Sequence, residues 1–218
     1  MTTPVKIKPE AIEARSFTII KEEFTERTGL RPEDLPASHF AIIQRVIHAT
    51  GDFDFARNMA FHPQAVTSAI TALRAGMDIV TDVNMVAAGI NQRLLAPWGG
   101  QVICRIAEPD IAELAAGRQA TRAETAIKET LKTRPGIVAI GNAPTALLRL
   151  MELIADLPAN DRPRLVIGVP VGFVNAEESK QILSGRDYPF ITSLGRKGGS
   201  SIAAAIINAL LKLAQAAE

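Results

Sequence analysis

Two stretches, IVAIGNAP at residues 137–144 and LVIGVPVGF at residues 165–173, decide the fold. Each begins with an apolar run that does not alternate with polar residues, and each then enters a loop that contains glycine and proline. A segment with helical periodicity follows each loop, at residues 145–154 and 176–183. Apolar, non-alternating strands between helices are typical of a parallel sheet that is covered on both faces. The chain is therefore predicted to form an α/β fold with a doubly wound, mainly parallel sheet.

The rest of the chain continues this alternation of helices and strands. Shorter strands are predicted at residues 78–81, 101–106 and 189–192. Further helices are predicted at residues 10–28, 38–50, 62–74, 83–91, 109–116, 122–132 and 201–214. Ser38 is the expected N-cap of the second helix, and Gly29 and Gly51 are expected to end the first two. No repeat, low-complexity segment or long linker is visible, so we expect a single domain over residues 1–218.

Composition excludes several classes of function. A formal charge of +1, from 24 basic and 23 acidic residues, argues against a nucleic-acid-binding protein. The single cysteine, Cys104, rules out an intrachain disulfide and a thiolate cluster. The three histidines are not spaced as metal ligands, so no metal site is expected. Residues 1–6 contain no apolar leader and no stretch has membrane-spanning length, which predicts a cytoplasmic protein that does not contact the membrane.

Three loops follow predicted strands at the edge of the sheet where doubly wound folds bind ligands. They are residues 141–144, 170–173 and 195–201. The last loop combines Arg196 and Lys197 with three glycines and a helix N-terminus, which suits an anion. None of the three is a phosphate-binding fingerprint, and Gly-x-Gly occurs nowhere in the sequence. Either of the first two could equally be an ordinary turn, whereas adjacent Arg196 and Lys197 beside a glycine-rich turn exceed what a turn requires.

Two positions carry chemistry that secondary structure does not require. His48 lies in the last turn of its predicted helix, where the partial negative charge of the helix end favours an imidazolium. A surface histidine without a role is the alternative, and His39 and His62 are interpreted as structural.

Thr121 suits an N-cap, whereas the cation of Arg122 opposes the helix dipole in the first turn. Something other than helix stability therefore selects Arg122.

Segments in collinear order resemble those of precorrin-8X methylmutases from about residue 10 to residue 213. They are EARSF at 13–17, VIHATGD at 46–52, AIGNAPTAL at 139–147, GVPVGFV at 168–174, EESK at 177–180 and GRKGGS at 195–200. The resemblance implies a flavodoxin-like, three-layer α/β/α sandwich that forms a homodimer. It also implies an isomerase of corrin (vitamin B12) biosynthesis.

The reaction implied by the resemblance is an intramolecular 1,5-sigmatropic methyl shift from C-11 to C-12. It converts precorrin-8X to hydrogenobyrinate, or cobalt-precorrin-8 to cobyrinate, and it needs no cofactor. By resemblance, His48 is the catalytic general acid. The predicted substrate-binding residues are Arg15, Ser16, Thr121, Arg122, Asn142, Arg196, Lys197, Gly198 and Gly199.

Two alternatives remain open at this stage. One is a tetrapyrrole carrier without enzymatic activity on the same scaffold, and the other is an NAD- or flavin-dependent enzyme. The absence of a phosphate fingerprint and the presence of His48 count against both. The sequence does not distinguish a metal-free substrate from one that contains cobalt.

Overall fold

A six-stranded sheet runs through residues 8–216, the part of the chain that the computed structural model describes. Its strands are β1 Met59–Phe61, β2 Ile79–Thr81, β3 Val102–Ile103, β4 Ile137–Ile140, β5 Leu165–Gly168 and β6 Phe190–Ser193. The order across the sheet is β1-β6-β5-β4-β2-β3, and every neighbouring pair is parallel except β1 and β6. From β3 to β6, this is the flavodoxin-like order 2-1-3-4-5. The predicted doubly wound, mainly parallel sheet is confirmed.

Helices cover both faces of this sheet, as expected of an α/β/α sandwich. They are α1 Pro9–Thr28, α2 Ala37–Thr50, α3 Phe55–Asn58, α4 Ala65–Arg74, α5 Asn84–Gly89, α6 Gln92–Leu95, α7 Pro109–Arg118, α8 Arg122–Leu131, α9 Pro144–Ala155, α10 Ala176–Ser184 and α11 Ser200–Ala216. Helices α2, α4, α5 and α11 share one hydrophobic core with the sheet, and α8, α9 and α10 share the other. Helix α1 packs outside α2. None of the helices within residues 8–216 is both long enough and apolar enough to cross a membrane.

Burial on both faces explains why the central strands do not alternate with polar residues. All four residues of β4 are buried. Ile137 and Ala139 contribute to the core on the α11 side, whereas Val138 and Ile140 contribute to the core on the α9 side. A polar residue at any of these positions would be buried without solvent, which costs free energy unless it is hydrogen-bonded.

The ends of the first two helices test the capping predictions. Gly29 and Gly51 adopt left-handed conformations with φ of 68° and close α1 and α2, as predicted. The expected cap at Ser38 is wrong, because the helix begins at Ala37 and its N-cap residue is Pro36. The Pro36 carbonyl already accepts the first helical hydrogen bond, which leaves Ser38 inside the first turn.

The two edges of the sheet also differ from the sequence expectations. Strand β3 is limited to Val102 and Ile103 instead of residues 101–106, because Arg105 turns away to pair with Glu108 and Asp110. Strand β1 was not predicted. Its three residues are too short for a local period-two signal, and they are extended because they pair with β6. The N-terminal segment 1–6, interpreted above as lacking a leader, lies outside the described residues.

Candidate active site

Loops after the parallel strands lie side by side at one edge of the sheet, which we call the carboxyl edge. It comprises residues 82–83 after β2, 141–143 after β4, 169–175 after β5 and 194–199 after β6. The backbone N–H of Val169 donates to Ile140 at 2.9 Å, and the N–H of Gly199 donates to Val169 at 2.7 Å. The three loops singled out from the sequence are therefore neighbours in space.

His48 reaches the same edge from α2. The turn that follows His48 carries Asp52 and Asp54, and both carboxylates accept hydrogen bonds from the Lys197 ammonium at 2.6 Å. The imidazole itself is exposed, and its ring stands edge-on to Phe17 of α1 with centroids 5.3 Å apart. The turn that follows His48 is thus tied to the 194–199 loop, and the His48 ring is exposed.

Contacts across the α1–α2 interface fix the segment that contains Arg15 and Ser16. Gln44 donates to the Phe17 carbonyl at 2.9 Å, and the Arg45 guanidinium lies 5.1 Å from the Phe17 ring centroid. Arg15 is exposed and Ser16 is half-buried. The Ser16 hydroxyl donates to the Ile12 carbonyl at 2.8 Å within the helix, which leaves the hydroxyl oxygen as an acceptor.

Glu13 provides the charged part of this interface. Its carboxylate accepts hydrogen bonds from Lys212 of α11 and from Arg45 of α2, the latter at 3.3 Å. These two cations lower the pKa of Glu13 to about 2, against the opposing effect of partial burial. One carboxylate therefore links α1 to two other helices.

The loop at residues 194–199 depends on its glycines. Gly195 and Gly199 have φ of 75° and 131°, which side chains rarely adopt. A Cβ at Gly198 would lie 2.3 Å from the carbonyl oxygen of Val169, so this loop packs directly on the β5 loop. The absence of a side chain at Gly198 therefore allows the two loops to pack together.

The two cations of this loop differ in their surroundings. Arg196 is exposed, and its guanidinium lies 5.4 Å from the Phe173 ring centroid. Its ion pair with the Glu177 carboxylate is long, at 3.8 Å. Lys197 is held by its two aspartates, whose hydrogen bonds raise its pKa. Arg196 is the more available of the two for a ligand carboxylate, whereas Lys197 would have to exchange or share its partners.

A buried lysine supports the same loop from below. The side chain of Lys180 is fully buried in α10, and its ammonium donates to the Lys197 carbonyl at 2.7 Å. The Ser193 hydroxyl donates to the same oxygen at 3.0 Å. Burial lowers the pKa of Lys180 to about 8, with the charge of Glu177 acting against this. The sequence analysis gave Lys180 no role, although its spacing from buried Ala176 and Leu183 already places it on the inner face of the helix.

On the other side of the carboxyl edge, Asp82 organises the loop that contains Asn142. Its fully buried carboxylate accepts backbone N–H groups from Gly141 at 3.0 Å and from Asn142 and Ala143 at 2.8 Å each. Burial raises the pKa of Asp82, and the three donors oppose this. The Asn142 side chain is exposed beside this turn. Asp82 was not among the site residues predicted from the sequence.

Thr121 and Arg122 approach the same loop from α8. Thr121 is the N-cap, as predicted: its hydroxyl accepts from the Glu124 N–H at 3.2 Å, and Glu124 accepts from the Thr121 N–H at 2.7 Å. Its hydroxyl also lies 3.3 Å from that of Thr145, in the first turn of α9. Arg122 is exposed, and none of the carboxylates whose side chains the structure describes lies within ion-pair distance of it. Both residues are thus close to the helix that Asn142 precedes.

Exposed apolar side chains lie in the carboxyl edge and in α5 next to it. Phe173, Val174 and Met85 are 84%, 78% and 73% exposed. Three clefts, of about 460, 470 and 470 Å³, lie elsewhere, beside α4, between α8 and α9, and beside α6, and none of the predicted site residues lines them. Within residues 8–216, no three His, Cys, Asp or Glu side chains converge as metal ligands. Cations, hydroxyls, one imidazole and an apolar surface therefore lie at the carboxyl edge or on the helices next to it.

Comparison with known proteins identifies the family. The profile of the family described as precorrin-8X methylmutase (CbiC) matches residues 11–213. The chain belongs to this family. The chain is 43% identical over 212 residues to the cobalt-precorrin-8 methylmutase of Priestia megaterium. This alignment covers 97% of this chain and 91% of that protein. It is 40% identical over 206 residues to the precorrin-8X methylmutase of a Sinorhizobium species, covering 93% of both.

A solved structure supports the same assignment. The crystal structure of precorrin-8X methylmutase from Thermus thermophilus superimposes with a TM-score of 0.82 at 36% identity, covering 95% of this chain and 98% of that one. Methylmutases are isomerases, so the chain is an isomerase of corrin biosynthesis. The predicted α/β/α fold is that of the family. The roles of the individual site residues stay predictions.

Proposed function

We propose that the chain converts precorrin-8X to hydrogenobyrinate, or cobalt-precorrin-8 to cobyrinate, by a 1,5-sigmatropic methyl shift from C-11 to C-12. The observation that carries the proposal is the exposed His48, which lies in the helix turn just before Asp52, the partner of Lys197 in the loop at residues 194–199, in a member of the methylmutase family. Relatives named for the metal-free and for the cobalt substrate match over similar lengths. Both substrates therefore belong in the first assay.

In the proposed mechanism, His48 acts as a general acid. The imidazolium donates a proton to the macrocycle, which draws electron density from the ring and assists migration. The bond from the methyl group to C-11 breaks as the bond to C-12 forms, and His48 recovers its proton afterwards. Substrate and product are isomers, so this balance needs no redox or group-transfer cofactor. General acid catalysis of this kind contributes about 10²–10⁴-fold to a rate.

Substrate binding is proposed to use the charged and polar groups of the carboxyl edge. Guanidinium groups suit carboxylates because they donate two parallel hydrogen bonds. The acetate and propionate arms of the substrate would pair with these groups, with hydroxyls and with loop N–H groups, while the exposed apolar side chains would cover part of the ring. The proposed binding residues are Arg15, Ser16, Thr121, Arg122, Asn142, Arg196, Lys197, Gly198 and Gly199.

The remaining proposals concern the state of the protein in the cell. We propose one domain over residues 1–218, assembled as a homodimer in the cytoplasm. The exposed apolar side chains of the carboxyl edge would be partly covered by the second subunit, which would also help to enclose a macrocycle.

A labelled substrate tests the proposed reaction directly. Precorrin-8X that carries ¹³C in the migrating methyl group is incubated with the purified protein and followed by NMR and absorbance, in parallel with cobalt-precorrin-8. The expected result is a new methyl resonance for C-12 together with the spectrum of the corrin product. A protein that binds either compound in an amount equal to its own and leaves it unchanged would instead be a carrier. A bound flavin spectrum would point to the redox alternative.

A further inference from the structure

Asp82 occupies a special position in the sheet. It directly follows β2, between β2 and β4, where the connections leave the sheet in opposite directions. Ligands of doubly wound sheets bind in the crevice at this point, and an anionic ligand group is held there by loop N–H groups at a helix N-terminus. In this chain, the crevice is lined by the 141–143 loop and is followed by α9.

The N–H groups of this crevice are already occupied. Asp82 Oδ1 accepts from Gly141, and Asp82 Oδ2 accepts from both Asn142 and Ala143. A carboxylate can do this because it is an acceptor only and has about four lone-pair sites. No lysine, arginine or histidine of residues 8–216 forms an ion pair with Asp82, so these backbone groups are the main partners of a fully buried carboxylate.

The loop at residues 141–143 also packs against α5 and α11. A Cβ at Gly141 would lie 2.8 Å from a methyl group of Val86 and 2.9 Å from the Cα of Ser200. The loop that Asp82 holds is therefore packed directly against the first residue of α11. Hydrogen bonds to Asp82 and packing against Ser200 therefore both fix the position of this loop, and the Asn142 side chain is left exposed.

We propose that Asp82 is a positioning residue of the methylmutase site: its carboxylate fills the anion position of the crevice and so fixes the loop that presents Asn142 to the substrate. The inference rests on the proposed function, since it takes Asn142 to bind the macrocycle. It also has a consequence for specificity. With its three N–H groups engaged, the crevice cannot hold the phosphate of a nucleotide or flavin, and the ligand is met by side chains instead.

A double-mutant cycle on corrinoid binding tests the inference. The Asp82→Asn variant keeps one acceptor oxygen for Asn142 and Ala143 but turns an amide N–H₂ toward the Gly141 N–H. Hydrogenobyrinate affinity, measured by absorbance titration, should fall about tenfold, as expected for loss of one charged hydrogen bond. Because Asp82 acts through Asn142, the same change in an Asn142→Ala background should have less than a threefold effect.

The Asp78→Asn variant is the matched control. Asp78 lies just before the same strand, at the opposite edge of the sheet, and its carboxylate also accepts a backbone N–H, from Gln101 at 2.9 Å. This variant should leave hydrogenobyrinate affinity within twofold of wild type. An equal loss of affinity in both variants would mean that only general stability had been measured, and it would overturn the inference.

Chemical rescue covers the case in which the asparagine variant folds poorly. Asp82→Ala leaves three N–H groups aimed at an empty position, which formate can fill. Formate should raise the melting temperature and the hydrogenobyrinate affinity of Asp82→Ala, and should do neither for wild type. Absence of rescue, or additive effects of the Asp82 and Asn142 substitutions, would overturn the inference alone. Wild-type protein that fails to bind hydrogenobyrinate would overturn the proposed function as well.

Discussion

Replacing Glu13 with glutamine should loosen α1 in a way that depends on pH. The hydrogen bonds from Lys212 and Arg45 lower the pKa of Glu13 from its ordinary value of 4.5 to about 2. At about 1.4 kcal/mol for each pKa unit, the full difference corresponds to about 3.5 kcal/mol. The side chain is 44% exposed, so solvent screening reduces the expected loss for Glu13→Gln to about 1 kcal/mol.

The sign of the pH dependence follows from the lowered pKa. Because the folded-state pKa lies below the unfolded one, the interaction stabilises the protein above about pH 4.5 and is lost as the pH falls toward 2. Urea denaturation followed by circular dichroism, at steps from pH 7 to pH 2.5, measures the free energy of unfolding of both proteins. The difference between them should be largest at pH 7 and should shrink steadily below pH 4.5.

Glu23→Gln is the matched control on the same helix. Glu23 makes a single exposed pair with Arg27, four residues away, at 3.4 Å. Pairs of this kind contribute a few tenths of a kcal/mol, so the control should change stability far less than Glu13→Gln. The reasoning would be refuted if Glu13→Gln were as stable as wild type at pH 7. It would also be refuted if the difference persisted undiminished at pH 2.5.

Three further predictions concern the site and the assembly. Burial holds the pKa of Lys180 near 8, so wild-type stability should rise between about pH 8 and pH 10.5, and thermal melts of Lys180→Met should lack that rise. Alanine at Arg122 or at Arg196 should each weaken hydrogenobyrinate binding about tenfold or more, since a charged hydrogen bond contributes about 1.5–3 kcal/mol; unchanged titrations for both would remove them from the site. Light scattering should report a homodimer at micromolar concentration, and a monomer would contradict the proposed assembly.

The central part of the fold could be predicted because local and tertiary requirements agree there. The runs at residues 137–140 and 165–168 are apolar throughout because both faces of each strand are buried, and the sequence shows this directly. Strand β1 left no such signal, since its extended form depends on pairing with β6. The predicted Ser38 cap was wrong because a good capping residue does not mark a helix start when Pro36, two residues earlier, already serves as the N-cap.

The candidate site, like the fold, could be predicted from the sequence only in part. Sequence reasoning found the loops of the carboxyl edge because the ends of parallel strands meet at one edge. It could not find the partners of Lys197, because Asp52 and Asp54 are more than 140 positions away along the chain. The role of Asp82 was equally hidden. A carboxylate after a strand resembles a cap until the three N–H groups that converge on it are seen.

The most direct test of the account separates turnover from binding at His48. The His48→Ala variant is assayed for conversion of precorrin-8X, and its hydrogenobyrinate affinity is titrated in parallel, with His48→Asn as a variant that can hydrogen-bond but supplies no proton near neutral pH. Both variants should lose nearly all turnover while affinity stays within a few fold of wild type, which is the pattern of an interaction made mainly in the transition state. Wild-type turnover in His48→Ala, or equal losses of turnover and affinity, would contradict the assignment of His48 as the acid.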